Sequence, residues 1–219
     1  MSKAVTPLPS GVAAVILAAG HSSRMQSLDP VRSPGVTHKA LLPFPRKPLI
    51  VVQAENYLAA GVARVYCVLG WSADLIRPVV ESTAGVEVVI NDDWSSGMFS
   101  SIKRGLEAAG TATAIFLQPV DVPPPSRKTL TQLAAAGAAG VVIPMQAGRG
   151  GHPLYINSSV FGTIAAQPPG DRLDRILREV LPAKVRQVEI KDADCLWNLN
   201  SPEDWREFHK KHPGLPENG

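Results

Sequence analysis

The stretch VILAAGHSSRM, Val15 to Met25, decides how this chain is read: an apolar run gives way to small residues, a pair of serines and an arginine. Upstream it continues as VAAVIL, Val12 to Leu17, short, unbroken and rich in β-branched residues. Such a run suits a central parallel strand covered on both faces better than an alternating, half-exposed one. The residues after it then form the turn at the strand's carboxyl end. Ala18, Ala19 and Gly20 let a ligand approach the backbone closely, and Gly20 can take positive φ, so that successive N–H groups form an anion nest. Ser22 and Ser23 add hydroxyl donors, and Arg24 adds a planar cationic fork suited to phosphate oxygens. The turn reads either as a phosphate cradle or as a tight surface turn that happens to hold serines. It is neither GxGxxG nor GxxxxGK[ST], the usual dinucleotide and P-loop spacings.

Outward from this stretch, apolar runs alternate with helical patterns. KPLIVVQAENYLAAG is a helix closed by Gly61, ARVYCVLG a strand, ADLIRPVVES a helix and VEVVI a strand. SSIKRGLEAAG, TAIFLQPVD, SRKTLTQLAAAG and GVVIP continue as helix, strand, helix, strand. This alternation predicts an α/β fold of three layers, Rossmann-like, with a mostly parallel doubly wound sheet and helices on both faces. Past about Gly148 the order is less regular: PLYI, helices around SSVFGTIAA and DRLDRILREV, then a strand VRQVEI. Ser201, Pro202 and Asp204 form an N-cap, an N1 proline and a capping-box acid, so a helix begins there and WNLN is the strand or turn before it. Gln26 to His38, with its prolines, glycine and serines, is an irregular loop, a lid or a disordered segment.

Composition narrows the classes. A chain of 219 residues, 45% hydrophobic, supports one substantial core, and a net charge of +3 with scattered Lys and Arg lacks the basic stripe of a nucleic-acid binder. The two cysteines form no CxxC pair, and Cys67 in VYCVLG reads as a small core residue. The five histidines show neither HExxH nor finger spacing. MSKAVTPLPSG lacks the apolar core of a signal peptide, and no segment reaches the ~18 apolar residues of a membrane span. A soluble, cytoplasmic protein with no membrane partner is expected.

In an open α/β sheet, ligands bind outside the carboxyl ends of the strands, so residues just after each strand should converge. These are the first turn with Arg24, Lys39 in HKALLPF, and Gly97, Met98, Ser100 and Ser101 ahead of a helix N-terminus. Asp121 in QPVDVPPP, and Asn198 and Asn200 after the late strand, join them. A carboxylate facing a cationic cradle makes sense with a divalent ion between them: magnesium keeps several waters and needs only one or two protein oxygens. The competing reading is that Asp121 caps a turn. Trp71, just after the second strand, either stacks on a base or packs.

LAAGHSSRM, KALLPF with KPL, WSSGMFSSIKRGL, PVDVP, GRGGHPLYI and NLNSPEDW occur in the order of the motifs of the MobA-like nucleotidyltransferases, which this chain resembles from about Ala13 to Trp205. That family includes molybdopterin cytidylyl- and guanylyltransferases and, more distantly, sugar-1-phosphate nucleotidyltransferases. The resemblance implies the nucleotide-diphospho-sugar transferase type of fold. It also implies that Leu17, Ala18, Ala19 and Gly20 hold the base and ribose side of an NTP, with His21, Ser22 and Ser23 in the same nucleotide-binding turn. Arg24 and Lys39 would hold phosphates, and Asp121 with Asn198 would bind Mg2+. Gly97, Met98, Ser100, Ser101, Gly150, Gly151 and His152 would form the acceptor pocket, His152 being equally readable as structural.

The reaction implied is attack of an acceptor phosphate on the α-phosphorus of the NTP, with pyrophosphate leaving. Molybdopterin is the implied acceptor and a molybdoenzyme or its maturation factor a partner. Ala19, where guanylyl enzymes more often have glycine, favours CTP, while NLNSPED resembles the guanylyl ending. Gln26 stands where the family has glycine, and the following loop separates Lys39 from the first motif. No linker splits the chain: one domain is expected over 1–219, with the NTP-binding part at about 12–147, the acceptor side at about 148–205 and a tail at 206–219. The alternatives are a GTP-dependent or sugar-phosphate enzyme and a non-catalytic nucleotide-binding module.

Overall fold

The computed structural model describes residues 7–21, 38–44, 47–138 and 140–212. The apolar run becomes β1 (Val12–Ala18), buried along its whole length. β2 (Arg64–Leu69) pairs parallel with one edge of it and carries β3 (Val86–Ile90) outside; β4 (Ala114–Pro119) pairs parallel with the other edge. Beyond β4 come β5 (Val141–Gln146), the two-residue β6 (Arg149–Gly150), β7 (Leu154–Asn157) and β8 (Val185–Glu189). The described residues form one eight-stranded sheet in the order β3-β2-β1-β4-β7-β5-β6, with β8 beside β5. β7 runs antiparallel to both β4 and β5. The chain reverses after β5 through Ala147 and Gly148, both at positive φ, and a reversal with no crossover helix leaves the returning strand antiparallel.

The helices α1 (Leu49–Ala60), α2 (Ala73–Glu81), α3 (Met98–Ala108) and α4 (Arg127–Ala136) connect the parallel strands. Alternate residues of β1 serve the two outer layers. Val12, Ala14, Ile16 and Ala18 pack with α1, α2 and α4. Ala13, Val15 and Leu17 pack with α3, with α5 (Phe161–Ala165), and with a π-helical turn (Ile176–Val180) that continues α6 (Leu173–Arg175). This is the period of two that puts successive side chains of a strand on opposite faces. α3 lies so close to β1 that a Cβ on Gly105 would sit 2.4 Å from Cγ1 of Val15.

Two local expectations shift. α3 begins at Met98, so Met98, Ser100 and Ser101 lie in its first turn rather than ahead of it. WNLN is not a ladder strand: a 3-10 turn at Ala193–Leu196 leads into extended backbone, where the Leu199 N–H donates to the Asp121 carbonyl at 2.7 Å. The capping box at Ser201 and Asp204 opens α7 (Pro202–Lys211).

α7 closes a third apolar cluster of Leu42, Phe44, Leu49, Leu199, Trp205 and Phe208. The Phe44 ring lies 6.0 Å from Trp205 and 5.8 Å from Phe208, so the far end of the chain is anchored to the segment just after Lys39. Cys67 is buried and unpaired, its thiol pushed up to about 12 by burial. Among the described residues no helix is long and apolar enough to cross a membrane.

Candidate active site

Two cavities open at the carboxyl ends of β1 and β4. The smaller, about 410 Å3, is lined by Leu17 to His21, His38, Lys39, Trp94, Ser95, Gly97, Met98, Ser101, Pro119 to Asp121 and Asn200. The larger, about 690 Å3, shares Leu17, Gly97, Met98 and Pro119 with it and extends toward α3, His152 and the 170–178 segment. A ligand in one therefore meets a ligand in the other across this common wall.

At the head of the smaller cavity, Nζ of Lys39 lies 3.0 Å from Oδ2 of Asp121 and also donates to Oδ1 of Asn200. Three distant parts of the chain supply this cluster: the short 3-10 turn of Lys39–Leu41, the loop after β4, and the segment before α7. Its position results from the third apolar cluster together with the Leu199-to-Asp121 backbone bond. Beside it, His38 is only 1% exposed; its Nε2–H donates to the Gly20 carbonyl at 2.8 Å and its Nδ1 accepts from the Ala40 N–H at 3.1 Å. These partners select one neutral tautomer. Burial lowers the His38 pKa, with the neighbouring Lys39 charge adding to the effect.

The remaining candidates fall inside and outside these linings. Leu17, Ala18, Ala19, Gly20 and His21 line the smaller cavity, whereas Ser22, Ser23 and Arg24, with loop residues 26–37, lie outside the described residues. Asn198 is exposed and outside both cavity linings; Asn200, two residues on, reaches Lys39. Gly97 and Met98 belong to the common wall. Ser101 faces the smaller cavity and Ser100 neither; both hydroxyls accept from the buried Asn91 amide, at 3.0 and 2.8 Å. His152 lines the larger cavity, and Gly150 and Gly151 do not. Burial lowers the His152 pKa, against the opposing pull of the Asp121 charge and a hydrogen bond to the Leu117 carbonyl.

Trp71, 36% exposed, lines neither cavity. Its ring lies 4.2 Å from His21 and 5.4 Å from Trp94, both of which do line the smaller one. A Cβ on Gly70 would fall 2.5 Å from Cβ of Trp94 and 2.9 Å from that of Ala19, so this glycine lets the aromatic group close against the first turn.

The sequence profile of the MobA-like NTP transferase domain matches residues 14–187, a span that holds β1 from Ala14 on, both cavities' common wall, Lys39 and Asp121. The chain belongs to the MobA-like NTP transferase family. One relative of this family member is the nicotine blue oxidoreductase of Paenarthrobacter nicotinovorans, 32% identical over 198 residues that span 85% of this chain and 90% of that protein. Among solved structures, a nucleotidyl transferase from Methanothermobacter thermautotroptrophicus superposes with a TM-score of 0.78 at 24% identity, over 95% of this chain and 100% of that one. Rv0371c from Mycobacterium tuberculosis, in complex with manganese, does so with a TM-score of 0.70 at 23% identity, over 92% and 99%. Both establish the fold of this MobA-like chain as the α/β, mostly parallel type.

Sequence reasoning missed two parts of the site. One is His38, visible only as the end of a loop. The other is the 170–178 wall, whose Leu173 and Leu177 are spaced to share a helix face although nothing local says what that face meets.

Proposed function

We propose that this MobA-like protein transfers a nucleoside monophosphate from an NTP to a phosphorylated acceptor. The observation that carries the proposal is the meeting of Lys39, Asp121 and Asn200 at the ligand-binding edge of the sheet. The nucleotide occupies the smaller cavity and the acceptor the larger. An acceptor phosphate oxygen forms a bond to the α-phosphorus while the bond to the β,γ unit breaks and its electrons leave with pyrophosphate. Such transfers need positioning and charge neutralisation rather than a covalent nucleophile. Lys39 holds and neutralises phosphate oxygens, Arg24 keeps the phosphate role that the resemblance implies, and Ser22 and Ser23 stay in its nucleotide-binding turn.

One carboxylate oxygen and one amide oxygen converging on a single ammonium form a donor set for a hard divalent cation, which completes its shell with water and phosphate. Among the described residues no cluster of three or more His, Cys, Asp or Glu offers a closed cage for another kind of metal. Asp121 and Asn200, in place of Asn198, would hold Mg2+, which when bound supplies charge neutralisation to the phosphates. Manganese in the Rv0371c complex supports a divalent ion in this fold. Ala19 beside Gly20 favours CTP over GTP, and molybdopterin is the acceptor that the resemblance puts first. The reaction consumes soluble substrates and suits the cytoplasm.

The name of the Paenarthrobacter relative favours a second reading, oxidoreduction on the same scaffold. Mass-detected product formation separates the readings, with molybdopterin, Mg2+ and CTP or GTP, beside an Asp121→Ala control and a parallel assay for oxidation of a reduced nicotinamide dinucleotide by an added quinonoid acceptor, which takes up its hydride. A cytidylylated product that disappears in the control is expected. Nucleotide binding without any nucleotidylated product, from molybdopterin or from sugar 1-phosphates, would leave a binding module; nicotinamide oxidation in its place would establish the redox reading.

A further inference from the structure

Resting on the assignment of the larger cavity to the acceptor, we infer that the acceptor is a phosphate monoester whose body is uncharged, apolar and ring-sized. The inner wall is apolar: Phe99, Ile102, Leu117, Ile143, Leu154 and Leu177 line it, and all but Ile143 are buried in the second core cluster. The charged groups that reach this cavity lie along 171–178 and are already matched with one another. Asp174 takes Arg172 at 3.0 Å and Arg178 at 3.4 Å, while Asp171 takes Arg175. The lining charges Asp171, Arg172, Asp174 and Arg178 therefore sum to zero, and this cavity offers no cation in excess for an anionic body.

Among the buried side-chain polar atoms of the described residues that line it, Nδ1 of His152 lacks a hydrogen-bond partner, and the lining amide of Gln187 is exposed. A sugar ring carries several donors and acceptors. Most would be desolvated in this cavity without partners, whereas an aromatic body would lose nothing and remove apolar wall from water. A cation placed for an acceptor phosphate lies on the other side of the common wall, at Lys39. An acceptor with its phosphate toward Lys39 and an apolar body over Leu17 and Met98 satisfies both cavities.

The wall's local structure agrees. Leu173 and Leu177 lie on either side of the junction between α6 and the π-helical turn, and both face the cavity. π-helical turns are rare and occur often at functional sites.

The test is displacement of a neutral fluorophore, N-phenyl-1-naphthylamine, from the full chain by 1-naphthyl phosphate and by glucose 1-phosphate, each with Mg2+ and CTP present. The expected midpoint for 1-naphthyl phosphate is at least tenfold lower. Leu173→Asp, and the milder Leu173→Asn, should raise that midpoint tenfold or more while CTP binding by calorimetry stays within twofold. Equal displacement by both phosphates, or indifference to both Leu173 variants, would overturn the inference. If 1-naphthyl phosphate binds selectively but CTP does not bind at all, the transfer reading fails and the apolar character of the cavity stands.

Discussion

The two cavities share a wall and differ in how charge is used. In the smaller, Lys39, Asp121 and Asn200 come from three separate segments and face inward. In the larger, four charged residues from one short segment pair with their own neighbours at the rim and leave an apolar interior. Lys39 and Asp121 pair with little exposure at the head of their cavity, whereas Arg172, Asp174 and Arg178 pair in solvent. In the proposed transfer, that difference would separate chemistry from recognition of bulk: one cavity would bind by charge and oxygen donors, the other by shape and exclusion of water.

The largest effect tests what holds the charged cavity together. Phe208→Ala removes a side chain 1% exposed in the cluster that joins α7 to the Leu42–Leu49 segment, and should cost about 3–5 kcal/mol in urea unfolding. A cost near zero would mean that Lys39 and Asn200 are brought together by something else. On the apolar side, Ile102→Ala should cost about 2–4 kcal/mol and enlarge the acceptor cavity. Its nucleotide affinity by calorimetry should stay unchanged, and a loss of CTP binding there would erase the distinction between the cavities.

Next comes the pair of asparagines. Asn200→Ala should lower divalent-stimulated turnover roughly tenfold to a hundredfold, about 1.4–2.7 kcal/mol of barrier, with Asn198→Ala within twofold of the parent. The reverse ranking in a metal titration of rate would return the ligand role to Asn198.

The smallest expected effect is one that the cavities share. Burial holds His38 and His152 below the ordinary 6.5, so the unfolded chain takes up protons first as pH falls. Their contribution to stability is therefore complete above pH 6.5 and is lost as pH drops through the folded values. Urea midpoints measured from pH 7.5 to 5 should decline, and His38→Gln should flatten the decline. A flat parent profile would show that neither ring is held neutral.

The sequence by itself determined the elements whose cause is local. The β-branched run of β1, the Gly61 stop of α1 and the capping box at Ser201 and Asp204 each depend on neighbours within a few residues, and each stands where the pattern put it. The placement of Asp121 at the ligand edge was legible too, because strands in such a sheet deliver their carboxyl ends together, whereas Lys39, beyond the loop, reaches that edge through the third apolar cluster.

What only the tertiary structure decided was through-space. Asn198 and Asn200 would share a face if WNLN were a strand, since side chains alternate with a period of two. Instead the Asn200 N–H donates to the Asn198 carbonyl at 2.8 Å, a tight turn that breaks the alternation and aims only Asn200 at Lys39. The antiparallel insertion of β7, and the meeting of the 170–178 segment with α3 across the larger cavity, likewise depend on which surfaces remain uncovered once the central strands have paired. A local pattern records which side of an element is apolar, and only the packed fold supplies what that side touches.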